Sequence, residues 1–233
     1  MTMSRVDGQE TKRKLLDAAG VLFAEKGYHE TKTSDICRMA EANIAAVHYH
    51  FRNKEDMYVA AWRHEFDRSI LAYPSDGGVP AEAPAEARLQ GHIQALVRRS
   101  VDPNSRDFDI AHREMSNPTG LLTEVMRHSI EPLREMHLSL IRELLGPDVT
   151  DQDVHLCEMS IHAQCLMSLM HERQRRLAQR DSQNIPHPFP HVDEALLAEH
   201  IFRFSLAGLR EVKKNARLRL DNSKKRPKGS KSR

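Results

Sequence analysis

Between Thr33 and Lys54 the apolar residues recur at helical spacing on both sides of a single break. Ile36, Met39 and Ala40 share one helical face. Glu41, Ala42 and Asn43 interrupt the pattern, and Val47 and Phe51 resume it at i, i+4 spacing. Two short helices crossed over a shared apolar patch form a helix-turn-helix. In such a unit the second helix enters the major groove of DNA, and the first lies across the sugar-phosphate backbone.

The remainder also reads as helix, with no internal repeat and no strand-like alternation long enough to specify a sheet. Leu15, Leu16, Ala19, Leu22 and Phe23 mark a helix before the break, and Met57, Ala60, Ala61, Trp62 and Phe66 mark one starting near Asn53. Residues 74–84 hold three prolines and two glycines and are expected to form a mobile loop. A helix over 85–101 follows, and Asn117-Pro118-Thr119-Gly120 breaks the chain again. A long helix over about 121–145 contains Pro132, where a lost hydrogen bond and a ring clash predict a kink. Gly146-Pro147 ends it, and two last helices over 151–180 and 192–219 flank the proline-rich segment Ile185 to Pro190. The expected fold class is all-α: an N-terminal three-helix unit plus a C-terminal helical bundle, about nine helices in all.

Composition limits the setting. A chain of 233 residues suits one or two compact domains, and no apolar run approaches the roughly 20 residues of a membrane span. The first eight residues lack the apolar core of a secretion signal. Cys37, Cys157 and Cys165 are unclustered, so no disulfide framework is expected, and a cytoplasmic location without membrane contact follows. The net charge of +2 is uneven: from Lys213 onward ten Lys or Arg oppose only Asp221, giving +9 there and −7 before it. A basic end of this kind is either a solvated tail or an auxiliary contact to DNA phosphates.

Several of these motifs occur in an order that resembles the TetR family of bacterial transcriptional regulators. The likeness covers roughly residues 10–66, from the Leu15–Phe23 helix through Lys26-Gly27-Tyr28 and Thr31-Lys32-Thr33 to Tyr49-His50-Phe51-Arg52-Asn53-Lys54-Glu55. Arg113-Glu114-Met115-Ser116-Asn117-Pro118 and the helix after it resemble the C-terminal domain of the CecR-type subgroup. The resemblance implies a flexible arm over 1–9, a TetR-type helix-turn-helix DNA-binding domain over 10–54, a ligand-binding and dimerisation domain over 55–219 and a basic disordered tail over 220–233. Thr33, with Ser34 after it, is expected to cap the first helix and meet a phosphate. Asn43 is expected to cap the reading helix, leaving Ile44, Ala45 and Ala46 at its leading end to meet thymine methyls. The family more often has a Lys-Gly-Thr type sequence there, so reading shifts toward Asn43, His48, Tyr49 and DNA shape, with His50 and Lys54 as further contacts. Glu41 replaces the glycine usual at the turn and puts its geometry in question.

A palindromic operator is read by two such units, with half-sites roughly 34–36 Å apart, so the implied partners are double-stranded DNA and a second copy of the chain. Ile161, Cys165, Ser168 and Leu169 with Leu197, Ile201, Phe204, Ser205, Gly208 and Val212 are the expected homodimer stripes. The family also implies a small-molecule effector, with His112, Met115, Met126, Met136, Met167, Met170 and His171 as candidate lining, although methionines at helical spacing are more often plain core. An alternative is a metal- or thiol-responsive regulator using Cys157, His162 and Cys165. No phosphate loop, GxSxG elbow or HExxH motif occurs, so neither an enzyme, a cofactor nor a resident metal is expected.

Overall fold

The computed structural model describes residues 5–180 and 192–225, and every regular element among them is helical. In chain order these are α1 (Arg5–Glu30), α2 (Thr33–Met39), α3 (Ile44–Phe51), α4 (Lys54–Ala72), α5 (Ala85–Val101), α6 (Arg106–Ser116), α7 (Thr123–Leu145), α8 (Asp151–Arg180) and α9 (Glu194–Lys225). They form two compact units. The first takes the chain up to Tyr73 and from Asp102 to Glu131, and the second takes Pro74–Val101 and the described residues from Pro132 onward. The division differs from the expected boundary at residue 54, because α4, α6 and the start of α7 pack with the helix-turn-helix.

In the first unit Leu15, Ala19, Leu22 and Phe23 of α1 are buried with Ile36, Val47, Phe51, Met57, Tyr58, Trp62 and Ile110. Tyr58 lies edge-on to Phe23 at 4.7 Å, and its hydroxyl donates to Glu114 at 3.1 Å. Gly27, at φ 78, breaks the last turn of α1. There Arg113 donates from Nε to the Ala24 carbonyl at 2.8 Å and from Nη2 to that of Glu25, serving carbonyls that a helix end leaves over. A β-carbon on Gly27 would stand 3.3 Å from Arg113 Cδ. Next to Arg113, the Glu114 carboxylate accepts from the backbone of Thr119 at 2.9 Å and of Gly120 at 2.8 Å. The Arg113 to Pro118 motif therefore fastens α6 to α1 and α4 and shapes the turn into α7.

The second unit has one contiguous core. Leu89, Ile93 and Val97 of α5 meet Leu140, Ile141 and Leu145 of α7, Val154, Ile161 and Cys165 of α8, and Ala198, Ile201 and Leu209 of α9. Residues 74–84 are non-helical as expected but are tied down rather than loose. Gly77 donates to the Pro74 carbonyl at 2.8 Å, and Gly91 lies so near that a β-carbon on Gly77 would overlap its backbone.

Two boundaries differ from expectation. The helix begins at Arg5, inside the segment read as a flexible arm. Helix α9 reaches Lys225, inside the segment read as a disordered tail. Helix α7 contains Pro132 as expected, and the division between the units falls at that residue. The proline-rich segment 185–190 and the tail from Arg226 lie outside the described residues.

Candidate nucleic-acid interface

Helix α3 is amphipathic at short range. Val47 and Phe51 bury its inner face, while Ile44 is 51% and Tyr49 80% exposed on the outer one. An exposed phenol and an exposed isoleucine on an anchored helix suit contact with base edges. Asn43 takes the N-cap position, and its side chain accepts from Ala46 N–H at 2.9 Å. Ala45 is exposed and Ala46 half-buried, so the leading end carries no bulk beyond Ile44.

The two imidazoles have different roles. His48 is exposed, and its Nδ1–H donates to the Arg52 carbonyl at 2.8 Å, which leaves Nε2 facing outward as an acceptor. His50 is half-buried, its Nε2 enclosed without a partner, and burial and nearby Lys12 lower its pKa. His50 is thus drawn toward the protein, whereas His48 and Tyr49 face out.

Thr33 corrects the expected capping. Lys32 occupies the N-cap of α2 and makes no side-chain cap bond, so Thr33 is the first residue inside the helix, with Ser34 exposed beside it. The buried hydroxyl nearby belongs to Thr31, which donates to the Gly27 and Leu22 carbonyls at 2.7 and 3.1 Å. Lys54 places its ammonium 4.2 Å from the centre of the Tyr28 ring, and burial there lowers its pKa. The Tyr28 hydroxyl donates to Glu55 at 2.9 Å, so Tyr28, Lys54 and Glu55 hold the start of α4 against the end of α1. Glu41 adopts φ 52, in the left-handed region that favours glycine.

The residues expected at a dimer interface divide. Ile161, Cys165, Ser168, Ile201 and Ser205 are buried in the core of their own unit, Ser168 hydrogen-bonding Ser100 at 2.9 Å. Leu169, Leu197 and Val212 are half-buried, while Phe204 is 64% exposed and Gly208 has open space beside it. The sequence pattern did not single out Leu156, exposed on α8, which with Ser160, Gln164, Phe204, Gly208 and Val212 lines a groove between α8 and α9.

The seven effector candidates fall in both units. His112, Met115 and Met126 belong to the first unit, whereas Met136, Met167, Met170 and His171 belong to the second. Met115, Met136 and Met167 are exposed. Cys157, His162 and Cys165 do not form a ligand set. Cys165 is fully buried, which pushes its thiol up to about 12, and Cys157 is raised by burial and by Asp153. His162 instead lies with His92 and His137. Among the described residues no helix is long and apolar enough to cross a membrane.

Comparison with known proteins agrees with this geometry. The N-terminal model of the bacterial regulatory proteins of the tetR family matches residues 15–61, and the C-terminal domain model of the HTH-type transcriptional dual regulator CecR matches residues 85–209, more than half of the chain. The chain is 29% identical over 133 residues to the biofilm operon icaADBC HTH-type negative transcriptional regulator IcaR of Staphylococcus epidermidis, covering 56% of this chain and 68% of that protein. It is 28% identical over 156 residues to CecR of Shigella flexneri, covering 63% and 70%. A TetR-like transcriptional regulator from Rhodococcus sp. RHA1 shares the fold at TM-score 0.64 and 16% identity, over 86% of this chain and 96% of that one. A helix-turn-helix with an outward-facing α3, joined to a CecR-type helical domain, places the chain in the TetR family of transcriptional regulators.

Proposed function

We propose that the chain is a transcriptional repressor that binds a palindromic operator as a homodimer and is released by a small-molecule effector. The observation that carries the DNA-reading part is the face of α3, where Ile44, Ala45, His48 and Tyr49 stand exposed on a helix fixed from behind by Val47 and Phe51. Repression is favoured by the likeness to IcaR, a negative regulator. Dimerisation is supported by the apolar groove between α8 and α9, where exposed Leu156 and Phe204 flank the open side of Gly208. Release by an effector rests on family likeness.

Operator fragments selected from the parent genome supply the test. Tyr49→Ala is expected to weaken binding about tenfold or more, a loss of about 1–3 kcal/mol per base-reading contact, while leaving sedimentation and melting unchanged. Equal affinity of the variant and the parent chain would show that α3 does not read DNA.

A further inference from the structure

Three imidazoles from three helices meet inside the second unit: His92 of α5, His137 of α7 and His162 of α8. They lie among Leu89, Leu140, Ile141 and Ile161, a setting in which polar rings lose their water. Each ring offers one nitrogen, and these three nitrogens all fall within 4.8 Å of one another. His162 Nε2 is 3.3 Å from His137 Nδ1, and His137 Nε2 contacts His92 Nδ1.

His162 is oriented from outside the cluster, as ligand histidines usually are, whereas His92 Nδ1 meets both the Ser75 carbonyl and His137. His92 donates from Nδ1 to the Ser75 carbonyl at 2.8 Å, so its lone pair resides on Nε2. That Nε2 is buried and has no hydrogen-bond partner. His162 Nδ1 stands 3.3 Å from the buried Glu158 carboxylate, which Arg134 in turn holds from Nε at 3.1 Å. His92 and His137 are buried, a setting that disfavours a charged ring, and a metal binds the neutral one.

We propose that His92, His137 and His162 form a binding site for a divalent transition-metal ion of the zinc, cobalt and nickel class. Imidazole is a ligand suited to these ions. Zinc–nitrogen distances of about 2.0–2.1 Å in a tetrahedron require nitrogens about 3.3 Å apart, within reach of small ring rotations from the observed spacing. Three histidines leave a fourth position for water, and the Ser75 carbonyl and Glu158 act as positioning groups rather than ligands.

Titration of the chelator-treated full chain with cobalt(II), followed by zinc(II) competition, tests the site. One equivalent of cobalt per chain is expected, with the intense visible absorption of a four-coordinate ion that zinc then removes. His137→Gln and His162→Gln should each lower affinity by about 100-fold or more, and Glu158→Gln by about 10-fold. Cys157→Ser should leave the titration unchanged. Circular dichroism and melting identify any variant that fails to fold, and His162, only half-buried, offers the substitution least disruptive to the core. The proposal is overturned if saturating cobalt gives no such absorption. It is equally overturned if folded His137→Gln and His162→Gln chains bind with parental affinity, since the ion would then sit elsewhere.

Discussion

Glu41 carries the left-handed turn between α2 and α3 at φ 52, where a β-carbon crowds the carbonyl that follows. Glu41→Gly should therefore stabilise the chain by about 0.5–1 kcal/mol, the relief of left-handed strain less the extra freedom glycine gains when unfolded. Chemical denaturation measures it, and a drop in stability would mean that the exposed glutamate makes a compensating interaction. The same segment shows what single residues disclose in advance. The cap formed by Asn43 was legible because its oxygen sits three residues before the N–H it serves. The cap assigned to Thr33 was not, because Thr31 and Thr33 flank Lys32 alike in sequence and only the fold commits Thr31 to buried carbonyls. His48 and His50 present the same difficulty: two residues apart, one faces out and one turns in.

At the level of elements, α1 and α4 approach closely at Gly20. A β-carbon there would come within 2.1 Å of the Glu65 carboxylate, which is fully buried and paired with Arg68 and Arg106. Gly20→Ala is expected to destabilise the first unit by about 1–3 kcal/mol, because the clash falls on a charged group that cannot leave its partners without cost. A melting temperature equal to that of the parent chain would show that Glu65 has another place to go. Long helices with full apolar stripes, α5 and α7 among them, were legible from periodicity. Helix α6 was not, because Ile110 is its only fully enclosed apolar residue, and the polar groups of Asp107 and Glu114 occupy much of its buried face. The histidine cluster was hidden for a related reason. His92, His137 and His162 are 45 and 25 residues apart, and only the packing of three helices brings them together.

For the whole molecule the charge distribution makes a distinct claim. Part of the basic run is committed to its own unit: Lys213 donates to the Leu144 carbonyl at 2.8 Å, and Arg219 pairs with Asp153 at 2.7 Å. Four further charges, Arg226, Lys228, Lys231 and Arg233, follow beyond the described residues. Removing residues 226–233 should flatten the dependence of log affinity on log salt, by up to about 0.9 for each phosphate that these cations neutralise. An unchanged slope would assign these charges to solvent. The stripes expected to pair two chains mix inward and outward residues of α8 and α9, since small and apolar side chains serve a core and an interface alike. Counting the chains on one operator tests the central claim most directly. Sedimentation of a complex with a single palindromic fragment should give two chains per duplex. Phe204→Asp, on the exposed edge of the α8–α9 groove, should lower that number. One parental chain per duplex, or no fragment preferred over random DNA, would contradict the account.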